Sequence, residues 1–224
     1  MEKQLIIDNT VAFVKETLQG AEGGHDWFHV HRVYNNAKLI AKDESVDEFI
    51  VALGALLHDI ADSKFHNGDE TIGPKKARLF LENQKVSEKV IVHIENIISN
   101  ISYKSSLPAD RGENFNQQFT SPELDVIQDA DRLDAIGAIG IARCFNYGGF
   151  KNRELYNPEI QPNLKMTKEE YKTNASPTIN HFYEKLLLLK DKMNTKTGLK
   201  IAADRHLFME TYLEQFYAEC KGEK

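Results

Sequence analysis

Leu56-Leu57-His58-Asp59-Ile60-Ala61-Asp62 closes an apolar helical run with a histidine and an aspartate side by side. Neighbouring side chains on a helix point about 100° apart, so both can reach one metal ion only where the helix ends or bends. The pair has company at a distance. His29 lies upstream, and Gln128-Asp129-Ala130-Asp131-Arg132-Leu133-Asp134 lies downstream, each on its own predicted helix. All three helices set an ionisable group beside a strongly apolar stripe, where burial without a partner is costly or drives the group toward its neutral form. Singly, these are a packing histidine, a chance His-Asp dipeptide and a solvated aspartate. Together they point to a shared divalent cation, which would resolve the three costs at once.

Upstream of the pair, Ser45-Val46-Asp47-Glu48 reads as a capping box, a serine followed three residues later by a glutamate, and opens the helix that the pair closes. Phe49, Ile50, Leu53, Leu56 and Leu57 bury most of that helix. Before it, Asp26 reads as an N-cap, and Val30, Val33, Tyr34, Ala37, Ile40 and Ala41 define the buried face of the helix that follows. His29 falls at the edge of this face, and His31 falls on the wet side with Asn35, Lys38 and Lys42. Residues 3–19 form a first helix through Leu5, Ile6, Phe13, Val14 and Leu18, ended by Gly20, Gly23 and Gly24.

Downstream, residues 61–68 form a loop rich in groups that can touch a ligand. A helix is expected from Asp69 to Asn83, interrupted or restarted at Gly73-Pro74. Ser87 caps the next, whose Val90, Ile91, Ile94, Ile97, Ile98 and Ile101 recur at helical rather than alternating spacing. Residues 102–121 turn polar, and so long a loop in a compact domain is usually functional or disordered. Ser121-Pro122 then starts a helix expected to run to about Tyr147-Gly148-Gly149, with Gly137, Ala138 and Gly140 permitting close helix approach. Residues 150–175 are irregular. Ser176-Pro177 starts one more helix, and Thr197-Gly198 precedes a last. No repeat, low-complexity tract or alternating strand is present. The expected fold is all-α: one domain over 1–224, with a metal-bearing core over about 20–145 and a C-terminal helical hairpin over about 176–220 packed on it.

A chain of 224 residues is long enough to bury a sizeable core. Its 28 Lys and Arg against 34 Asp and Glu give a net charge of -6, which offers no electrostatic reason to bind a nucleic-acid polymer or an anionic membrane. Cys144 and Cys220 form neither a disulfide framework nor a zinc spacing and read as reduced packing residues. No window approaches the roughly 18 apolar residues of a membrane span, and the start carries no signal-peptide pattern, so a cytoplasmic protein is expected.

The order His29, His58-Asp59, Asp131, with apolar helices around each, resembles the HD-domain phosphohydrolase superfamily over roughly residues 20–145. The stretches from His25 to Val33, from His58 to Phe65 and from Gln128 to Gly137 look like its bacterial YpgQ/YedJ-like branch, as does Thr178-Ile179-Asn180-His181-Phe182-Tyr183-Glu184-Lys185-Leu186. The resemblance implies an HD-domain helical bundle with metal ligands His29, His58, Asp59 and, by its Ala-Asp-Arg-Leu context, Asp131. Asp129 lies on a different helix face. Asp134 lies on nearly the same one and is a candidate hydrogen-bond acceptor behind the ligands. Within the branch, the resemblance favours a nucleoside triphosphate pyrophosphohydrolase, releasing a monophosphate and pyrophosphate, over a nucleoside monophosphate phosphatase or a phosphodiesterase. A metal-stabilised binding or regulatory module is the non-enzyme rival.

Two imidazoles and two carboxylates leave room for waters. Such a set suits one manganese, magnesium, cobalt, nickel or iron ion better than a closed structural zinc. A metal here can acidify a water and polarise a phosphoryl oxygen. Asp62 follows Asp59 by three residues and is the candidate acid/base group, a role carried over by the resemblance; otherwise it caps the helix end or bonds Lys64. Arg32, Lys64, His66 and Lys104 are candidate phosphate contacts for a small nucleotide substrate. His93 lines the pocket or packs, since too few other histidines are available for a second metal. Assembly into a homodimer is left open.

Overall fold

Nine consecutive residues from Phe49 to Leu57 are buried, so one helix of the protein has no wet face at all. In the computed structural model, which describes residues 2–21, 24–61, 69, 71–101, 119–165 and 176–224, every regular element among the described residues is helical. In chain order these are α1 (Glu2–Thr17), α2 (Trp27–Ala41), α3 (Glu48–Leu57), α4 (Ile72–Asn83), α5 (Glu88–Asn100), α6 (Pro122–Asp134), α7 (Gly137–Phe150), α8 (Asn180–Glu184) and α9 (Lys196–Lys221). The chain divides into two compact units, 1–131 and 132–224, with the boundary inside α6. Among the described residues no helix is long and apolar enough to cross a membrane.

The first unit is built on α3, which packs against α1, α2 and α5. Leu53, Leu56 and Leu57 are wholly buried there, each contributing about 1.5–3 kcal/mol. Gly54 lets α6 and α5 come close, because a Cβ at this position would lie 2.5 Å from Ile127 Cδ1 and 3.4 Å from Ile97 Cδ1. The N-cap of α3 differs from the expected Ser45 box. Asp47 caps the helix through its own carboxylate, which accepts from the amides of Phe49 and Ile50. The amide of Asp47 in turn donates to Glu123 Oε1 at 3.0 Å, so the reciprocal half of the box comes from α6 rather than from Glu48. Asp26 caps α2 as expected. Ser87 occupies the N-cap of α5 without a side-chain hydrogen bond, and Gly73-Pro74 lies in the first turn of α4, where proline is tolerated.

The single helix expected from Ser121 to Tyr147 is two. Ile136 is extended and Gly137 takes φ +74°, a left-handed conformation open to glycine. Carbonyls in the last turn of α6 are reached by arginines: Arg205 donates to Leu133 O at 2.5 Å, beside the Ile136 amide, and Arg143 to Asp134 O at 3.2 Å. Gly140 then passes so close to Ala135 that a Cβ would meet its carbonyl oxygen. In the second unit α7 packs on α9, and Phe145, Phe182, Tyr212 and Phe216 form an aromatic cluster. The first arm of the C-terminal hairpin is α8 followed by two 3₁₀ turns, Leu186–Leu188 and Lys190–Lys192. The second arm, α9, is capped by Thr195, two residues before the Thr197 of the expected Thr197-Gly198 start.

Candidate metal centre

Helix α3 stops at Leu57, which leaves His58 at its C-cap and Asp59 in the turn beyond, the circumstance in which adjacent side chains can converge. His58 is buried, and its Nδ1 lies 2.8 Å from the carbonyl of Ala55. That carbonyl can only accept, so Nδ1 carries the proton and Nε2 keeps its lone pair for a cation. On α2, the Asp26 cap accepts from the amide of His29 at 2.9 Å and fixes the first turn, and the His29 side chain is 4 % exposed. On α6, Asp131 sits in the last turn. The helix is tied down beside it by Asn36 donating to Ala130 O at 3.3 Å and by Gln128 donating to Asn100 O at 3.0 Å.

These elements bring His29, His58 and Asp131 together, each offering one ligand atom, all within 4.8 Å of one another. His29 Nε2 lies 3.5 Å from Asp131 Oδ1 and 4.0 Å from Asp59 Oδ2. Ligands at about 2.1 Å from an octahedral cation lie about 3 Å apart as neighbours and about 4.2 Å apart when opposite. The separations from His29 lie within that window, and the nitrogen and carboxylate donors suit a divalent ion. The imidazoles of His29 and His58 meet edge to face at 5.5 Å. Asp131 is 41 % exposed, so the cluster is open on that side.

One residue at the cluster had no role assigned from the sequence. His25 Nδ1 lies 2.7 Å from Asp59 Oδ2, and His25, His29 and Asp59 form a second group of convergent ligand atoms. The signal was present as the four-residue step from His25 to His29 across the Asp26 cap. Burial pushes the Asp59 carboxyl up, but the hydrogen bond with His25 and the imidazoles of His58, His25 and His29 outweigh it. Its pKa falls below the usual carboxylate value as a result.

The remaining candidates separate clearly. Asp134 is 1 % exposed and pairs with Arg143, whereas Asp129 is fully buried and belongs to neither convergent group. Arg132 donates to Lys192 O at 2.6 Å. Arg32 is half-buried on α2, three residues beyond His29. His93 packs against Phe119, with Nε2 3.0 Å from Ser121 Oγ and 3.5 Å from Glu123. It thus meets α6 at the end opposite Asp131. Asp62, Lys64, His66 and Lys104 lie outside the described residues. Cys144 and Cys220 are both free, and burial raises the Cys144 thiol to about 12, which keeps it protonated.

The family model described as HD domain matches residues 27–136, from the first residue of α2 to just past α6. The uncharacterized protein YpgQ of Bacillus subtilis is 35% identical over 94% of this chain and 91% of its own length. An HD-superfamily hydrolase from Bacillus thuringiensis, solved by crystallography, is 41% identical and superposes with a TM-score of 0.77, covering 98% of both chains. The crystal structure of Bacillus subtilis YpgQ in complex with ADP is 32% identical at a TM-score of 0.74, over 98% of this chain and 97% of that one.

Proposed function

Since the chain belongs to the HD-domain superfamily of metal-dependent hydrolases, we propose that it hydrolyses a small nucleotide, most specifically a nucleoside triphosphate to its monophosphate and pyrophosphate. His29, His58, Asp59 and Asp131 are the residues proposed to hold one divalent cation, and residues 1–224 act as one functional domain in the cytoplasm. When bound, that cation would acidify a water and neutralise charge on the phosphoryl group under attack. The protein supplies the rest. His58 presents Nε2 because Ala55 holds its Nδ1 proton. Arg32 faces the negative charge of the phosphates, with Lys64, His66 and Lys104 assigned the same task. Asp62 gives a proton to the leaving oxygen, which departs on pyrophosphate when the bond between the α-phosphorus and the bridging oxygen breaks.

The convergence of His29, His58 and Asp131 carries the metal part of this reading. The ADP complex of YpgQ supports a nucleotide as ligand, because this chain matches that protein over nearly its full length. The test is product analysis of metal-stripped protein given manganese, magnesium, cobalt or nickel with nucleoside mono-, di- and triphosphates. Pyrophosphate from triphosphates, abolished in His58→Ala and reduced in Asp62→Asn with cation binding retained, is the expected result. Orthophosphate from monophosphates would replace the proposed substrate, and full activity of Asp62→Asn would remove the acid/base assignment.

A further inference from the structure

We propose that His25, which lies outside the segment matched by the family model, is a positioning residue that orients the Asp59 carboxylate toward the cation. The inference rests on the metal-centre reading above and assigns it one more working part. His25 Nδ1 and Asp59 Oδ2 are 2.7 Å apart, with side chains 26 % and 15 % exposed. This is a hydrogen-bond length, shorter than the separation of about 3 Å between neighbouring ligands of one small divalent cation.

The two convergent groups, His25-His29-Asp59 and His29-His58-Asp131, share His29. The same atom, His29 Nε2, faces both Asp59 and Asp131. A neutral imidazole has one lone pair and can ligate one ion. The groups are therefore two sides of one centre, and His25 stands behind Asp59 rather than beside a second ion.

Asp59 lies in the turn after α3, past the helix's own hydrogen-bond ladder, and a bonded partner can fix its side-chain rotation. His25 is well placed to set it. The next residue, Asp26, caps α2 by accepting from the amide of His29, so His25 and His29 leave the same fixed turn. Their rings meet edge to face at 5.9 Å. An N–H on one carboxylate oxygen fixes the plane of the group and directs its remaining lone pairs.

Substitution by similar polar residues tests the atom as well as the residue. Asparagine places an amide nitrogen close to the position of Nδ1, glutamine reaches only toward Nε2, and leucine offers neither. Metal-stripped wild type, His25→Asn, His25→Gln and His25→Leu would be titrated with Mn²⁺ and with Co²⁺, recording the Co²⁺ visible spectrum and the melting temperature without metal. His25→Leu and His25→Gln should bind about 10–100-fold more weakly, with the Co²⁺ bands unmoved, and His25→Asn should recover most of the affinity. Asparagine and glutamine variants that bind equally would overturn the proposal. So would leucine binding like wild type, or Co²⁺ bands that shift on substitution, which would make His25 a ligand. Wild-type affinity in His58→Ala would instead overturn the metal centre itself, a separate result.

Discussion

Changing Gly140 to alanine should destabilise the protein, although helix propensity alone says the opposite. Within a helix, alanine is better than glycine by about 1 kcal/mol. At Gly140, however, a Cβ would lie 2.2 Å from Ala135 O and 2.5 Å from Ala135 C, both backbone atoms. Ala135 is anchored: its amide donates to Arg132 O at 3.1 Å, and the amide of Ile136 donates to Leu133 O at 3.3 Å. Relief therefore means moving the joint between α6 and α7 by about 1 Å, at the upper end of the overpacking range, about 3 kcal/mol. Subtracting the propensity gain leaves a net loss of about 2 kcal/mol, or about 4–8 °C in melting temperature. Gly149, in the same helix, has nothing within 4 Å of a built Cβ. Gly149→Ala should therefore gain about 0.5 kcal/mol. Thermal and urea unfolding of chelator-treated protein would compare the two. Gly140→Ala melting at or above wild type would refute the reasoning.

Saturating cation at a hundred times its dissociation constant should add about 2.7 kcal/mol, so EDTA should lower the melting temperature by about 5–10 °C; no change would count against the metal centre. Thr195 Oγ1 accepts from the amide of Gly198 at 2.9 Å, and Thr195→Ala should cost about 1 kcal/mol in urea unfolding. Burial, then Lys185 and Arg153, lower the pKa of His181 from 6.5 to about 4. The unfolded chain binds a proton there before the folded one does, so this contribution is complete above pH 6.5 and is lost as pH falls toward 4. The loss amounts to about 3 kcal/mol at most, and it should be smaller in His181→Gln when unfolding is compared at pH 7 and 4.5.

The sequence was most readable where one helix decides its own limits. The adjacent His58-Asp59 pair demanded a helix end, and α3 ends one residue before it. The buried face of α2 followed from spacing, and only Tyr34 of the residues assigned to it stays half-exposed. Features made by two distant segments were harder to read. The apolar stripe continues through Leu133, Ile136 and Ile141, so nothing local shows that Gly137 turns left-handed while Arg205 takes a carbonyl from the preceding helix. The cap of α3 moved because Glu123 comes from elsewhere in the chain. After α8, Leu186 and Leu189 are buried and Leu188 is 49 % exposed, a three-residue period that a row of leucines conceals. His25 escaped because its partner Asp59 is 34 residues away.

Helix α6 returns to the chain's early part from far downstream, with Glu123 bonded 76 residues back and Ala130 O held from 94 residues back. Contacts of such span form late, after shorter loops have closed. On the proposed ligand set, a cation that needs Asp131 beside His29 would gain its full set of ligands only when folding is nearly over. It should hardly hasten folding, yet it should strongly slow unfolding. Bound metal would then act as a latch on the finished molecule and prolong its lifetime more than it speeds its making.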